Sequence, residues 1–190
     1  MQIVSPVSSR KTTAVIQILD PKFHLMIRKQ LFSTVNRSGF RIEFFNQYET
    51  GSKILTERYP PLCEEGTEAI PLPVIVIGAG KLGENIITRI ARQWFEKKIS
   101  PENRPYIYLV DAQAQKILDN LNRQFNRIRE ACNLIPVSLD VRSAAFQDAI
   151  FLKNHPLRAG FTADICFHDD SLGLLTAMNL HHFSEGRKVK

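Results

Sequence analysis

The chain has 190 residues, 44% of them apolar and 23% charged, with a formal net charge of +6. That is enough for one domain with a core, or a domain plus a subdomain, and the balance excludes large-scale disorder. The basic residues are dispersed over several helices (Arg89, Arg92, Lys97, Arg123, Arg127, Arg129) with no interleaved aromatics, so nucleic acid is not an expected partner.

Pro60-Pro61 and the polar run Glu64-Glu65-Gly66-Thr67-Glu68 divide the chain into a front piece, 1–61, and a main unit, 72–186. The front piece reads as strand, helix, strand, helix. Its first strand is the β-branched run Thr13-Ala14-Val15-Ile16-Gln17-Ile18-Leu19. Asp20-Pro21 then supplies an N-cap and a first helical position for a helix over 23–32. A second strand follows at Arg41-Ile42-Glu43-Phe44-Phe45, and a helix over 48–59 is stopped by the prolines.

The main unit alternates in the same way. Pro73-Val74-Ile75-Val76-Ile77 is a continuous apolar run, as expected of a parallel strand buried on both faces. After a glycine-rich turn, Leu82, Ile86, Ile90 and Trp94 recur four apart, which predicts an amphipathic helix. A polar loop over 98–105 leads to the strand Tyr106-Ile107-Tyr108-Leu109-Val110-Asp111. Ile117, Leu121, Phe125, Ile128 and Cys132 then trace one helical stripe. A third strand covers 134–140, where Pro136 is tolerable only if its nitrogen faces no ladder partner. A short helix over 144–152, a fourth strand over 163–168 and a helix over 172–183, capped by Asp169-Asp170-Ser171, complete the unit. Strands separated by helices predict an α/β fold with a parallel sheet and right-handed crossovers.

The chemistry concentrates at Gly78-Ala79-Gly80-Lys81-Leu82-Gly83. Gly-x-Gly-x-x-Gly alone is a weak signal, but here it directly follows a buried strand and opens an amphipathic helix. Gly78 permits the tight turn, Gly80 leaves room for a pyrophosphate, and Gly83 allows close helix–strand packing. The helix amides and its dipole attract phosphate, and Lys81 adds a point charge. The fold is therefore expected to be a Rossmann-like, doubly wound sheet. Asp111 ends the next strand, 28 residues past Gly83, and is placed to bond ribose hydroxyls; the loop over 98–105 lengthens the usual spacing of about 20. Because no arginine follows Asp111 directly, NAD(H) or an adenine nucleotide such as ATP or ADP is preferred over NADP(H). The competing reading is a structural turn that binds nothing.

No catalytic residue is assigned. His168 is the best acid–base candidate, being expected at the carboxyl end of the fourth strand, but lining the pocket is its simpler role. His181 and His182 are adjacent on a helix and form no metal pair; His24 and His155 lack partners in sequence. Cys63, Cys132 and Cys166 are too scattered for disulfides, and no Cys-x-x-Cys pair is present, so no metal site is expected. No apolar run is long enough to span a bilayer and no signal peptide opens the chain. A cytoplasmic location without membrane insertion is expected.

The segments Val74-Ile75-Val76-Ile77-Gly78-Ala79-Gly80-Lys81-Leu82-Gly83, Leu109-Val110-Asp111, Leu139-Asp140 and Ala163-Asp164-Ile165-Cys166-Phe167-His168-Asp169-Asp170 resemble the TrkA-N (RCK or KTN) family. These are ligand-sensing regulatory domains of potassium channels and transporters. The resemblance implies that Gly78, Ala79, Gly80, Lys81, Leu82 and Gly83 hold phosphates and Asp111 the ribose. It further implies that Asp140 lies near the adenine and that His168 and Asp169 face the ligand. Leu139-Asp140-Val141-Arg142 departs from the small, glycine-containing turn usual there. Ala14-Val15-Ile16-Gln17-Ile18-Leu19-Asp20-Pro21 resembles the family's fifth strand, so the front strands are expected either to end a preceding unit or to complete this sheet, within the chain or across a dimer.

The expectation is thus a regulatory domain that binds NAD(H) or a related adenine nucleotide, assembles as a homodimer and passes its occupancy to a membrane transporter or channel. A small NAD-dependent oxidoreductase using His168 and an interaction domain without nucleotide are the alternatives.

Overall fold

The computed structural model describes residues 12–20, 40–61, 72–97, 100–148 and 160–187, with the single positions Phe23, Met26 and Phe151. Cys63, His24 and His155 lie outside the described residues, as does most of the helix expected over 23–32. Two compact units are present, Met1–Thr50 and Gly51–Lys190.

In the first unit, β1 (Thr12–Gln17) and β2 (Phe40–Phe45) pair in parallel, from Thr12 opposite Phe40 to Gln17 opposite Phe45. Parallel pairing requires a crossover, in keeping with the strand–helix–strand reading. Asp20 performs the capping role read from Asp20-Pro21, its Oδ1 accepting from the Phe23 amide at 3.4 Å. Asn46 stitches the ends of the two strands together. Its Nδ2 donates to the Leu19 carbonyl, and its Oδ1 accepts from the amides of Tyr48 and Glu49 at the start of α1 (Gln47–Arg58). These two strands form a sheet of their own.

The second unit holds a four-stranded, all-parallel sheet in the order β5-β4-β3-β6. Its elements are β3 (Val74–Ile77), α2 (Lys81–Glu96), β4 (Tyr106–Asp111), α3 (Ala114–Gln124), α4 (Ile128–Ala131), β5 (Asn133–Ser138), α5 (Ala144–Gln147), β6 (Thr162–Ile165) and α6 (Asp170–Arg187). The chain starts at β3, steps outward through β4 to β5, then returns to the other side of β3. This is a Rossmann-like α/β order with its reversal between β3 and β6.

Both faces of the sheet are covered, which explains the unbroken apolar run of β3. Val74 and Val76 point into a core with Ile86, Ile87, Ile90 and Trp94 of α2 and Leu118 and Leu121 of α3. Ile75 and Ile77 point the other way, to Phe146 and Leu180. Pro136 sits on the edge strand β5, opposite Leu109. The amides of Asn133 and Leu139 donate inward to Pro105 and Asp111, so the even-numbered nitrogens of β5, Pro136 among them, face the open side.

Two expectations need correcting. The single helical stripe from Ile117 to Cys132 is two helices, separated where Phe125 adopts φ −131°, ψ 79°. Ile128 and Cys132 are nevertheless buried in the same core as Leu121, so the apolar period survives a break in the backbone. The fourth strand ends at Ile165, leaving Cys166, Phe167 and His168 in the following turn. The polar loop before β4 contains a short 3-10 turn, Pro101–Asn103, capped by Ser100.

Candidate functional site

The carboxyl ends of the parallel strands carry the expected residues. Gly78 leaves β3 with φ +80°, a conformation that side chains rarely adopt. Its amide still donates to the Val110 carbonyl, which ties the turn to β4. A Cβ on Gly78 would meet the Phe167 ring at 2.8 Å and the Cys166 carbonyl at 3.3 Å. A Cβ on Gly83 would lie 2.9 Å from the Gly78 oxygen and 3.0 Å from Val76 Cγ1. Gly83 is therefore the point where helix and strand pack too closely for any side chain.

Gly80 differs from both. It is the N-cap of α2, with an ordinary φ of −68°, and no atom lies within 4 Å of where its Cβ would be. Neither local strain nor internal packing calls for glycine here. What glycine provides is open space above the helix start. No side chain caps α2, so its first amides, at Lys81, Leu82 and Gly83, have no intrahelical acceptor, the first helical bond being Glu84 to Gly80. A helix of 16 residues adds the positive end of its dipole at that point. Lys81 begins the helix with a largely exposed side chain whose Nζ lies 3.9 Å from Glu84 Oε2.

Asp111 closes the other side. Its Oδ2 accepts from the Ala79 amide at 3.1 Å and its Oδ1 from the Gln113 amide at 2.8 Å. Both oxygens are thus oriented by backbone, yet each keeps a second lone pair. The carboxylate braces the glycine turn and can still accept from the hydroxyls of a sugar.

The remaining expected residues follow the carboxyl ends of β5 and β6. Asp140, exposed beyond β5, accepts from its own Arg142 amide at 2.8 Å and opens the turn into α5. Asp169 caps α6, its Oδ1 accepting from Leu172 at 3.0 Å. His168 is exposed in the turn between β6 and α6. Among the described residues, no cluster of His, Cys, Asp and Glu could hold a metal ion, and no helix is long and apolar enough to cross a membrane.

Sequence reasoning missed Phe167. Its ring fills the space left by the absent side chain of Gly78, at the point where the strand order reverses. Its position one residue before His168 was the available signal.

A groove of about 270 Å³ runs elsewhere, along β6, between Thr162 to Cys166 and the side chains of Leu55 and Tyr59. None of Gly78 to Gly83 lines it. Burial holds the Asp164 carboxyl in this groove above the usual carboxylate range. Burial, with the neighbouring Asp164 charge, pushes the Cys166 thiol up to about 12. Cys132, buried in the core with Leu118 and Leu121, is likewise raised to about 12 by burial.

Comparison with known proteins finds no matching family model, no matching curated protein and no matching solved structure.

Proposed function

We propose that the second unit is a regulatory domain that binds NAD(H), or a related adenine nucleotide such as ADP or ATP, across the glycine turn. The carrying observation is Gly80: an uncapped helix start, an unstrained backbone and nothing within 4 Å of the missing Cβ. Phosphates would accept from the amides of Lys81, Leu82 and Gly83, and Asp111 would accept from ribose hydroxyls while holding Ala79 in place. The resemblance to the TrkA-N regulatory domains extends this reading to control of potassium or other cation transport from the cytoplasmic side. There, occupancy acts by favouring one arrangement of the domain over another.

A thermal-shift titration of the full chain with NADH, NAD, ADP, ATP and NADPH tests the proposal. A ligand of the native state raises the melting point as RT ln(1 + [L]/Kd), by about 2.7 kcal/mol at a hundredfold excess over Kd. The expected result is a shift with NADH or an adenine nucleotide that Gly80→Val abolishes. No shift with any of the five nucleotides favours an interaction domain. Steady NADH consumption with a carbonyl substrate, lost in His168→Ala, favours an oxidoreductase.

A further inference from the structure

We propose that the groove along β6 is a docking site for an extended peptide segment of another protein, one that carries a lysine or arginine. β6 is one edge of the four-stranded sheet and β5 the other. The amides of Thr162 and Cys166 donate inward to the carbonyls of Pro73 and Ile77. Alternation along a parallel strand therefore turns both the amide and the carbonyl of Ala163 and of Ile165 to the open side. The two donor–acceptor pairs lie about 6.6 Å apart, two strand residues at about 3.3 Å each. Among the described residues neither pair has a partner, and both residues line the groove. An extended peptide is the ligand whose own backbone groups recur at that spacing.

The sheet treats its two edges differently. On β5 the outward nitrogen of Pro136 has no proton to donate, which blunts that edge. The run Thr162-Ala163-Asp164-Ile165 contains neither proline nor lysine, so its edge stays competent to pair. The side chains of the groove then decide what pairs there. Thr162, Asp164 and Cys166 share one face of the strand, and Leu55 and Tyr59 add an apolar wall. Asp164 is half-buried, yet among the described residues nothing donates to its carboxylate and no cation pairs with it. A carboxylate left so is costly, and a cation that meets it lowers that cost. A strand without positive charge leaves the penalty in place, and a second β6 would set two Asp164 carboxylates against each other. The segment that fits has its lysine or arginine facing Asp164, with apolar residues two positions away on the same face, toward Leu55 and Tyr59. The inference does not depend on nucleotide binding.

An NMR titration of the full isotope-labelled chain with acetyl-Val-Thr-Lys-Thr-Val-amide tests it. Saturable shifts are expected at the amides of Ala163 and Ile165. Glutamate in place of the central lysine should weaken binding at least about tenfold. Of two peptides N-methylated at alternate residues, one should bind like the parent and the other, its methyls turned to β6, should not bind. Asp164→Asn, its fold checked by melting, should remove the preference for lysine over glutamate. Any of four results would overturn the inference: no saturable shift at Ala163 and Ile165, equal binding of the glutamate peptide, or indifference to the methylation pattern are the first three. The fourth is shifts at these amides that follow the concentration of the chain itself and not of the peptide, which would place a second copy at the edge. Equal shifts with n-butylamine alone would likewise replace the peptide with a small cation.

Discussion

The Asp111 carboxylate accepts a hydrogen bond from the Ala79 amide at 3.1 Å, linking the end of β4 to the glycine turn that follows β3. The same group holds the Gln113 amide at 2.8 Å. Asp111→Ala therefore removes two bonds to a charged acceptor and should cost about 1–3 kcal/mol of stability. Nucleotide affinity should fall at least about tenfold, because a bracing group and a ribose acceptor vanish together. Asp111→Asn keeps one acceptor and should fall between. Denaturant titration read beside nucleotide titration checks both; an alanine variant unchanged in each would remove Asp111 from the site.

Gly80 and Gly83 should respond to alanine in opposite ways. At Gly83 the new methyl meets backbone and Val76 at 2.9–3.0 Å, so Gly83→Ala should destabilise the fold by about 1–3 kcal/mol. At Gly80 the methyl enters open space on an ordinary backbone. Gly80→Ala should keep stability within about 1 kcal/mol yet lose nucleotide binding, because the methyl lies where the phosphate approaches. Equal destabilisation by the two would mean that Gly80, too, serves packing.

This contrast also indicates what the residue order could convey. The run Val74-Ile75-Val76-Ile77 is legible because both faces of β3 are covered, and Pro136 required a nitrogen without a ladder partner, a condition that the edge position of β5 meets. Gly78 and Gly83 serve the tight turn and the close packing expected of them, but only the geometry separates these two, which strain and packing require, from Gly80, which they do not. The break at Phe125 was illegible for a physical reason: Ile128 and Cys132 reach the same core across it, so burial repeats without a continuous helix. The contact between Phe167 and Gly78 was hidden because the parallel pairing of β3 with β6 brings together residues 89 positions apart.

That contact sets up a double-mutant cycle. Gly78→Ala should destabilise the unit by about 2 kcal/mol or more, through both the φ of +80° and the collision with the ring at 2.8 Å. Phe167→Leu relieves the collision but not the backbone strain. The double variant should therefore be more stable than the sum of the single effects predicts, by roughly 0.5–3 kcal/mol. Strict additivity in chemical denaturation would show that the ring does not press on the turn.

Asp164 should leave a signature at acid pH. Burial raises its folded carboxyl above the unfolded value of 3.8, so folding takes up a proton between that value and the raised one. The contribution is fully present below the unfolded value and is lost as pH rises through the folded value. Asp164→Asn removes the ionisation, so the variant should melt a few degrees above the wild type at neutral pH, by roughly 2–4 °C. The advantage should disappear as the pH falls below the unfolded value. A constant difference between the two proteins from acid to neutral pH would show that the carboxyl titrates alike in both states.

Cys132 and Cys166 make the corresponding prediction at alkaline pH. Both thiols are raised from 9.0 to about 12, Cys132 by burial and Cys166 by burial with the Asp164 charge behind it. Here too the folded state holds the proton longer, so stability is intact below about pH 9 and declines toward pH 12, by roughly 1 kcal/mol per pH unit for each thiol. The thiolate is the reactive form, so in a Cys63→Ser background an aromatic disulfide reagent at pH 8 should label both positions far more slowly than it labels a free thiol in solution. Asp164→Asn should speed labelling at Cys166 and leave Cys132 alone, because only Cys166 has that charge as a cause of its shift. Acceleration at both positions would point to loosening of the whole unit, and acceleration at neither would show that burial alone holds the Cys166 proton.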